Sequence, residues 1–291
     1  MALFFQQTLT GLSVGLVYAT VAMGLMLLLR AAGVMNFAQG NLLAMGAYVG
    51  YALIEKLNLS SMALAILLSV LLFVFVGCIF CGVCVLPFKR AKWPQAMLIC
   101  TLGAGTVINE LCLLLVTTET KALRPIIPGA LTVGGFVIQY QYFFIFGAMI
   151  LMMGGLYFLF EKTYCGCILS AASQNKYAAD LLGIPTNLTI VITFCIVVCM
   201  TGVSGWLLAP IYYVSPSLST FQARAFASIV IGGFGNLQGA VVGGVIVGLV
   251  EAYSSYFTTT YKDVVVFGCL LLMLVIRPTG ILKSEQRKEK A

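Results

Sequence analysis

Long apolar runs separated by short polar breaks make up most of the chain, and hardly any stretch alternates polar with apolar residues. The runs lie at approximately 8–29, 33–54, 60–86, 95–116, 142–160, 189–210, 225–256 and 263–282. A helix rising about 1.5 Å per residue needs roughly twenty apolar residues to cross a hydrocarbon core about 30 Å thick, and most of these runs are of that order. Strands of a membrane barrel would be about ten residues long and would alternate. Because lipid offers no partner for peptide N–H and C=O groups, helices and closed barrels are the only spanning forms. The pattern predicts an all-α polytopic integral membrane protein with about eight hydrophobic segments, one or two of them broken or re-entrant.

Composition agrees. Apolar residues make up 61% of the chain and charged residues only 9%, and the mean hydropathy is +1.06. A soluble domain carries about a quarter charged residues, so this chain cannot cover itself with polar surface. The sequence reads as one integral membrane domain over 1–291. The first charge is Arg30, so the basic start of a cleaved signal peptide is missing and the first run is expected to be a retained span. The net charge of +7 is scattered between the runs. Lys89, Arg90 and Lys92 share one loop, Lys162 and Lys176 another, and Lys283, Arg287, Lys288 and Lys290 the tail. That is a topology signal and not a nucleic-acid footprint: all three groups belong on the cytoplasmic side, which puts 117–141 outside.

This bookkeeping fails at 225–256 unless the segment starts and finishes outside, as a re-entrant element or a broken hairpin does. The break has an address. Gly232, Gly233, Gly235 and Gly239 interrupt the run, with Asn236 and Gln238 among them; each glycine costs a helix about 1 kcal/mol against alanine. Asn36, Phe37, Ala38, Gln39, Gly40 and Asn41 likewise interrupt 33–54 near its start. Non-helical backbone at membrane depth is tolerated only against protein or a water-filled path, and one interrupted segment in each half of a chain points to a transport route. The candidate path residues are therefore Asn36, Phe37, Gln39, Gly40, Asn41, Gly232, Gly233, Gly235 and Asn236. Gly11-x-x-x-Gly15, Gly46-x-x-x-Gly50, Gly239-x-x-x-Gly243 and Gly244-x-x-x-Gly248 predict close helix–helix packing.

Catalytic chemistry is missing. No G-x-x-x-x-G-K-[ST] phosphate loop occurs, and there is no histidine to act as base or zinc ligand. No cofactor is implied. Cys78, Cys81 and Cys84 have a metal-like spacing, but thiolates inside a lipid-embedded helix are costly, so they read as small hydrophobes and no metal site is expected. Glu110 and Glu251 are the candidate intramembrane functional acids; so few acids argue that the energy for transport comes from elsewhere. Between two spans, 161–188 reads as a cytoplasmic connector holding a short helix, capped by Asn175 and ended by Gly183 and Pro185. It is well placed to dock a partner.

At Gly15–Ala19, Gly33–Gly40, Met45–Tyr48, Thr101–Gly103, Ala179–Ile184, Ile231–Ala240 and Arg277–Gly280, the chain resembles, over nearly its whole length, the permease subunits of bacterial ABC importers for branched-chain amino acids, of the LivH type. The resemblance implies a non-enzymatic, multi-pass permease domain in the inner membrane. It would work with a second homologous permease, two cytoplasmic ATPase subunits and an extracytoplasmic solute-binding protein, and would carry leucine, isoleucine, valine or related small solutes such as urea and short amides. It also implies that Gly166, Ser170, Ala171, Asn175, Ala178, Ala179, Leu182 and Gly183 couple the chain to an ATPase. The sequence departs from the family where arginines usually stand in Gly166–Ala171, and at Gln39 and Asn41, where a histidine and an acid are common. The alternative is an ion-coupled secondary transporter or channel working without an ATPase, which would transport as the isolated chain.

Overall fold

A computed structural model describes residues 2–33, 35–57, 61–87, 95–133, 136–174 and 176–282. Among these, the helices are α1 (Ala2–Ala32), α2 (Gln39–Tyr51), α3 (Met62–Phe80), α4 (Gln95–Leu115), α5 (Tyr140–Lys162), α6 (Tyr164–Gln174), α7 (Lys176–Leu181), α8 (Thr186–Tyr212), α9 (Phe221–Gly232), α10 (Leu237–Phe257) and α11 (Lys262–Ile276). One π-helical turn, Ala52–Lys56, extends α2 and another, Cys81–Val85, extends α3. Six helical stretches are long and apolar enough to cross a membrane. The other two hydrophobic runs fall short for local reasons. The run from 33 becomes helical only at Gln39. The last run stops at Ile276 because Arg277, which precedes Pro278, is pushed to an extended conformation (φ −139°, ψ 84°).

The chain forms two compact units; three of the four boundaries between them fall inside α1, α5 and α9, and the fourth between Leu123 and Arg124. One unit comprises Met1–Met26, Arg124–Met153 and Ala223–Ala291; the other comprises Leu27–Leu123 and Gly154–Gln222.

In the first unit, α1 is the central helix, with most of its length buried. The two small-residue motifs meet there: a β-carbon on Gly15 of α1 would stand 2.9 Å from the Gly244 carbonyl of α10. Ser13 Oγ donates to the Tyr142 carbonyl of α5 at 3.1 Å, and Thr20 Oγ1 points to Met149 Sδ at 3.3 Å. The run pattern gives no hint of the antiparallel hairpin within 117–141, where β1 (Ala130–Val133) pairs with β2 (Phe136–Gln139) in the register Ala130↔Gln139 to Val133↔Phe136. Strands of four residues are too short to show a period.

In the second unit, α2 packs against α8, with α3 and α4 alongside. Its core includes Leu42, Met45, Phe73 and Val198. The approach of α2 to α8 is so close that a β-carbon on Gly46 would land on the Gly202 carbonyl. At the far end of α8, Tyr213 adopts φ +61°, ψ 160°, a conformation that side chains other than glycine avoid at a cost of about 1–3 kcal/mol. It is held there because its neighbour Val214 exchanges both backbone hydrogen bonds with Lys121, at 2.8 and 3.3 Å. Tyr213→Gly is expected to stabilise the protein by about 1 kcal/mol, read as a rise of a few degrees in the unfolding midpoint in detergent.

Candidate functional site

The interruption before α2 is closed by side chains. α1 ends at Gly33 in a left-handed conformation (φ +73°). Asn36 Oδ1 accepts from the Ala38 N–H at 3.0 Å, making a local turn, and the Phe37 N–H reaches Thr101 Oγ1 on α4 at 3.4 Å. Ala38, the cap residue of α2, offers no side-chain bond to the helix start. That role passes to Gln222, whose Oε1 accepts from the Gly40 N–H at 2.5 Å and whose Nε2 donates to the Asn36 carbonyl at 3.1 Å. Gln39 Nε2 donates to Thr201 Oγ1 on α8 at 2.7 Å. Asn36 and Gln39 are 1% and 0% exposed, yet Asn36 Nδ2 and Gln39 Oε1 have no hydrogen-bond partner among the described residues. Asn41 lies against α4, where a β-carbon on Gly105 would come within 2.5 Å of its Nδ2. Asn36, Phe37, Gln39, Gly40 and Asn41 thus share one unit.

Gly232, Gly233, Gly235 and Asn236 lie in the other unit, at the tip of the hairpin between α9 and α10. Gly233 and Gly235 take φ values of +115° and +90°, which turns the chain back on itself. Asn236 caps α10, its Oδ1 accepting from the Gln238 and Gly239 N–H groups at 2.9 and 3.3 Å. The carbonyls at the end of α9 are satisfied from far away: Ile281 N–H donates to Ile231 and Leu282 N–H to Gly232, both at 3.0 Å. The tip therefore lies at the level where the chain leaves α11.

Glu251 sits in a charged cluster that the sequence did not reveal. Its Oε1 lies 3.5 Å from Arg224 Nε and 3.4 Å from Lys262 Nζ, and Tyr18 donates its hydroxyl proton to Oε2. Arg224 also binds Asp263 Oδ1 through Nη2 at 2.7 Å. Arg224 and Glu251 are 6% and 5% exposed. Two cations and a hydroxyl converge on this one carboxylate and tie α10 to α1, α9 and α11. The only sequence signal for Arg224 is the general rule that a cation at the edge of an apolar run needs a counter-ion, and Glu251 is not close to it in the chain. Glu110 is exposed on α4.

The connector at 161–188 is built as α6, α7 and the turn into α8. Gly183 (φ +80°) ends α7: its N–H donates to the Asp180 carbonyl and the Ile184 N–H to the Ala179 carbonyl, both at 3.0 Å, the paired bonds of a Schellman cap. Thr186 Oγ1 donates to Asp180 Oδ1 at 2.8 Å, fixing α7 to the first turn of α8. Ala179 is buried, whereas Ala171, Ala178, Leu182 and Gly183 are exposed, Leu182 at 81%. Gly166 is buried under the end of α5, where a β-carbon would meet the Leu159 and Phe160 carbonyls. Asn175 and the Ser170 side chain lie outside what the structure describes. Cys81 and Cys84 are buried, while Cys78 is exposed, its Sγ 3.4 Å from that of Cys195. No group of three metal-ligating side chains occurs among the described residues.

The sequence model for the permease component of branched-chain amino acid transport systems matches residues 7–274. The chain belongs to this family. It is 31% identical over 294 residues to the high-affinity branched-chain amino acid transport system permease protein BraD of Pseudomonas aeruginosa, covering 96% of this chain and 95% of BraD. To the corresponding protein LivH of Escherichia coli K12 it is 32% identical, with the same coverage. A probable LivH permease of Methanocaldococcus jannaschii is 26% identical over 93% of this chain and 90% of its own length. The solved structure of PsaBC from Streptococcus pneumoniae in complex with Fab shares the fold, with a TM-score of 0.53 at 14% identity, covering all of this chain and 96% of that one. As a permease component, the chain is a multi-pass protein of the inner membrane that works within an ABC transporter and is not itself an enzyme.

Proposed function

We propose that the chain, acting as a single permease domain, lines part of an alternating-access path for branched-chain amino acids or closely related small solutes. It does so beside a second homologous permease, two cytoplasmic ATPase subunits and an extracytoplasmic solute-binding protein. Asn36, Phe37, Gln39, Gly40 and Asn41 shape the path in one unit, and Gly232, Gly233, Gly235 and Asn236 shape it in the other. The observation that carries this reading is the interrupted start of α2, where Asn36 Nδ2 and Gln39 Oε1 are buried with unspent hydrogen-bonding capacity. An unpaired buried polar group costs about 1–3 kcal/mol, so a pair of them marks a place kept for water or a polar solute.

The stretch Gly166–Gly183 receives the push of ATP binding. In support, it presents an exposed leucine, Leu182, at a rigidly capped elbow tied to α8. Leu182→Asp removes an apolar contact at a position with little role in folding. It is expected to cut ATP-dependent leucine uptake about ten-fold, or about 1.4 kcal/mol, while the thermal midpoint of the isolated chain stays put. Uptake at the wild-type rate refutes the coupling role. The rival reading, an ion-coupled carrier, requires the purified chain alone in vesicles to take up leucine down an imposed proton or sodium gradient; the expected result is no uptake until the ATPase subunits are added.

A further inference from the structure

Gln222 makes two hydrogen bonds whose direction is fixed by chemistry. The Gly40 N–H can only donate and the Asn36 carbonyl can only accept, so the amide of Gln222 has one possible orientation: Oε1 toward Gly40 at 2.5 Å and Nε2 toward Asn36 at 3.1 Å. The side chain spans the non-helical turn and fills the place of the missing helix bonds on both sides of it. It sits tightly, since a β-carbon on Gly40 would come 2.8 Å from Gln222 Cβ. With the Gly40 N–H and the Asn36 carbonyl taken by Gln222, and Asn36 Oδ1 used on Ala38, the buried side-chain atoms of 36–40 left without a partner among the described residues are Asn36 Nδ2 and Gln39 Oε1. One is a donor and the other an acceptor, and both side chains are buried.

We infer that Gln222 is a positioning residue: it clamps the 36–40 turn so that the Asn36 amide nitrogen and the Gln39 carbonyl oxygen stay presented, as a donor and an acceptor, to the polar part of the solute or the water moving with it. The inference rests on the path reading above and gives that reading a mechanical part. No motif marks Gln222. Its position just after the 3-10 turn Pro216–Thr220, at the start of α9, looks like an ordinary first helical turn. Methionine in its place keeps the length and loses both bonds. Glutamate keeps the acceptor for Gly40 and, when ionised, loses the donor to Asn36.

The test uses the assembled transporter, with its partner subunits and solute-binding protein, in proteoliposomes loaded with ATP and supplied with radiolabelled leucine. Five variants are compared: Gln222→Met, Gln222→Glu, Asn36→Ala, Gln39→Ala and the double variant Gln222→Met/Asn36→Ala. For Gln222→Met, turnover is expected to fall about ten-fold while KM shifts less than two-fold, because delivery is unaffected and passage is not. Gln222→Glu is expected to lie between Met and wild type. The double variant is expected to fall no more than two-fold below Asn36→Ala, since residues acting through one another are not additive. A purely structural glutamine would give additive losses. Full additivity, or wild-type turnover in Gln222→Met, overturns the clamp. If Gln222→Met fails to assemble, wild-type turnover in Gln222→Glu does so instead. Wild-type uptake by both Asn36→Ala and Gln39→Ala sinks the path reading itself, and the two failures are thereby told apart.

Discussion

Replacing Arg224 with methionine is expected to destabilise the protein by about 3–5 kcal/mol, the cost of stranding a buried carboxylate when its partner is removed. Glu251 would lose its contact at 3.5 Å and keep only Lys262 at 3.4 Å and the hydroxyl of Tyr18. The opposite deletion is milder. In Glu251→Gln, Arg224 still holds Asp263 at 2.7 Å, and a glutamine can accept from Tyr18. Taking both charges away, in Arg224→Met/Glu251→Met, is expected to recover most of the loss, because a buried ion pair replaced by apolar groups of similar volume is often neutral. Thermal unfolding in detergent of the wild type, Arg224→Met, Glu251→Met and the double variant gives the double-mutant cycle. A single Arg224→Met substitution that lowers stability by less than about 1 kcal/mol would show that the cluster is solvated and not a tie.

Gly46→Val is expected to be at least as damaging. The contact between α2 and α8 leaves no room for a β-carbon at Gly46, because the Gly202 carbonyl occupies the place. Backbone on both sides must then separate, carrying away the packing of Leu42, Met45, Phe73 and Val198. Ordinary over-packing costs about 1–3 kcal/mol and occasionally more, when a flexible side chain can give way. Here the obstacle is main chain, so about 3 kcal/mol is the lower bound expected. The measurement is the yield of monodisperse protein after extraction, together with its unfolding midpoint. Gly82→Val, at a glycine with open space around it, is the matched control and should behave as wild type.

The parts of this molecule that were legible in the sequence are those written by local chemistry. The break between α9 and α10 could be placed because Gly232, Gly233 and Gly235 cannot be cheap in a continuous helix, and it falls where they stand. The end of α7 at Gly183 follows from the same reasoning. The pairing of Gly11 and Gly15 with Gly244 and Gly248 was half legible: the motifs predict close contact but not which motif meets which. What could not be read is carried by long-range partners. Gln222 and Arg224 are ordinary polar residues until Asn36, Gly40 and Glu251 are brought to them. The hairpin of β1 and β2 escaped because four-residue strands have no period to detect.

The bonds from Ile281 and Leu282 back to Ile231 and Gly232 also set an order of events during synthesis. The carbonyls that close α9 wait for residues made well after α9 itself, so the hairpin tip cannot be finished until Leu282 has left the ribosome. Chains cut short after Ile276 should insert their spans and yet leave that tip unsealed, open to proteolysis at the glycines. A purification handle is therefore best joined well beyond Leu282, where it does not tug on the final seal.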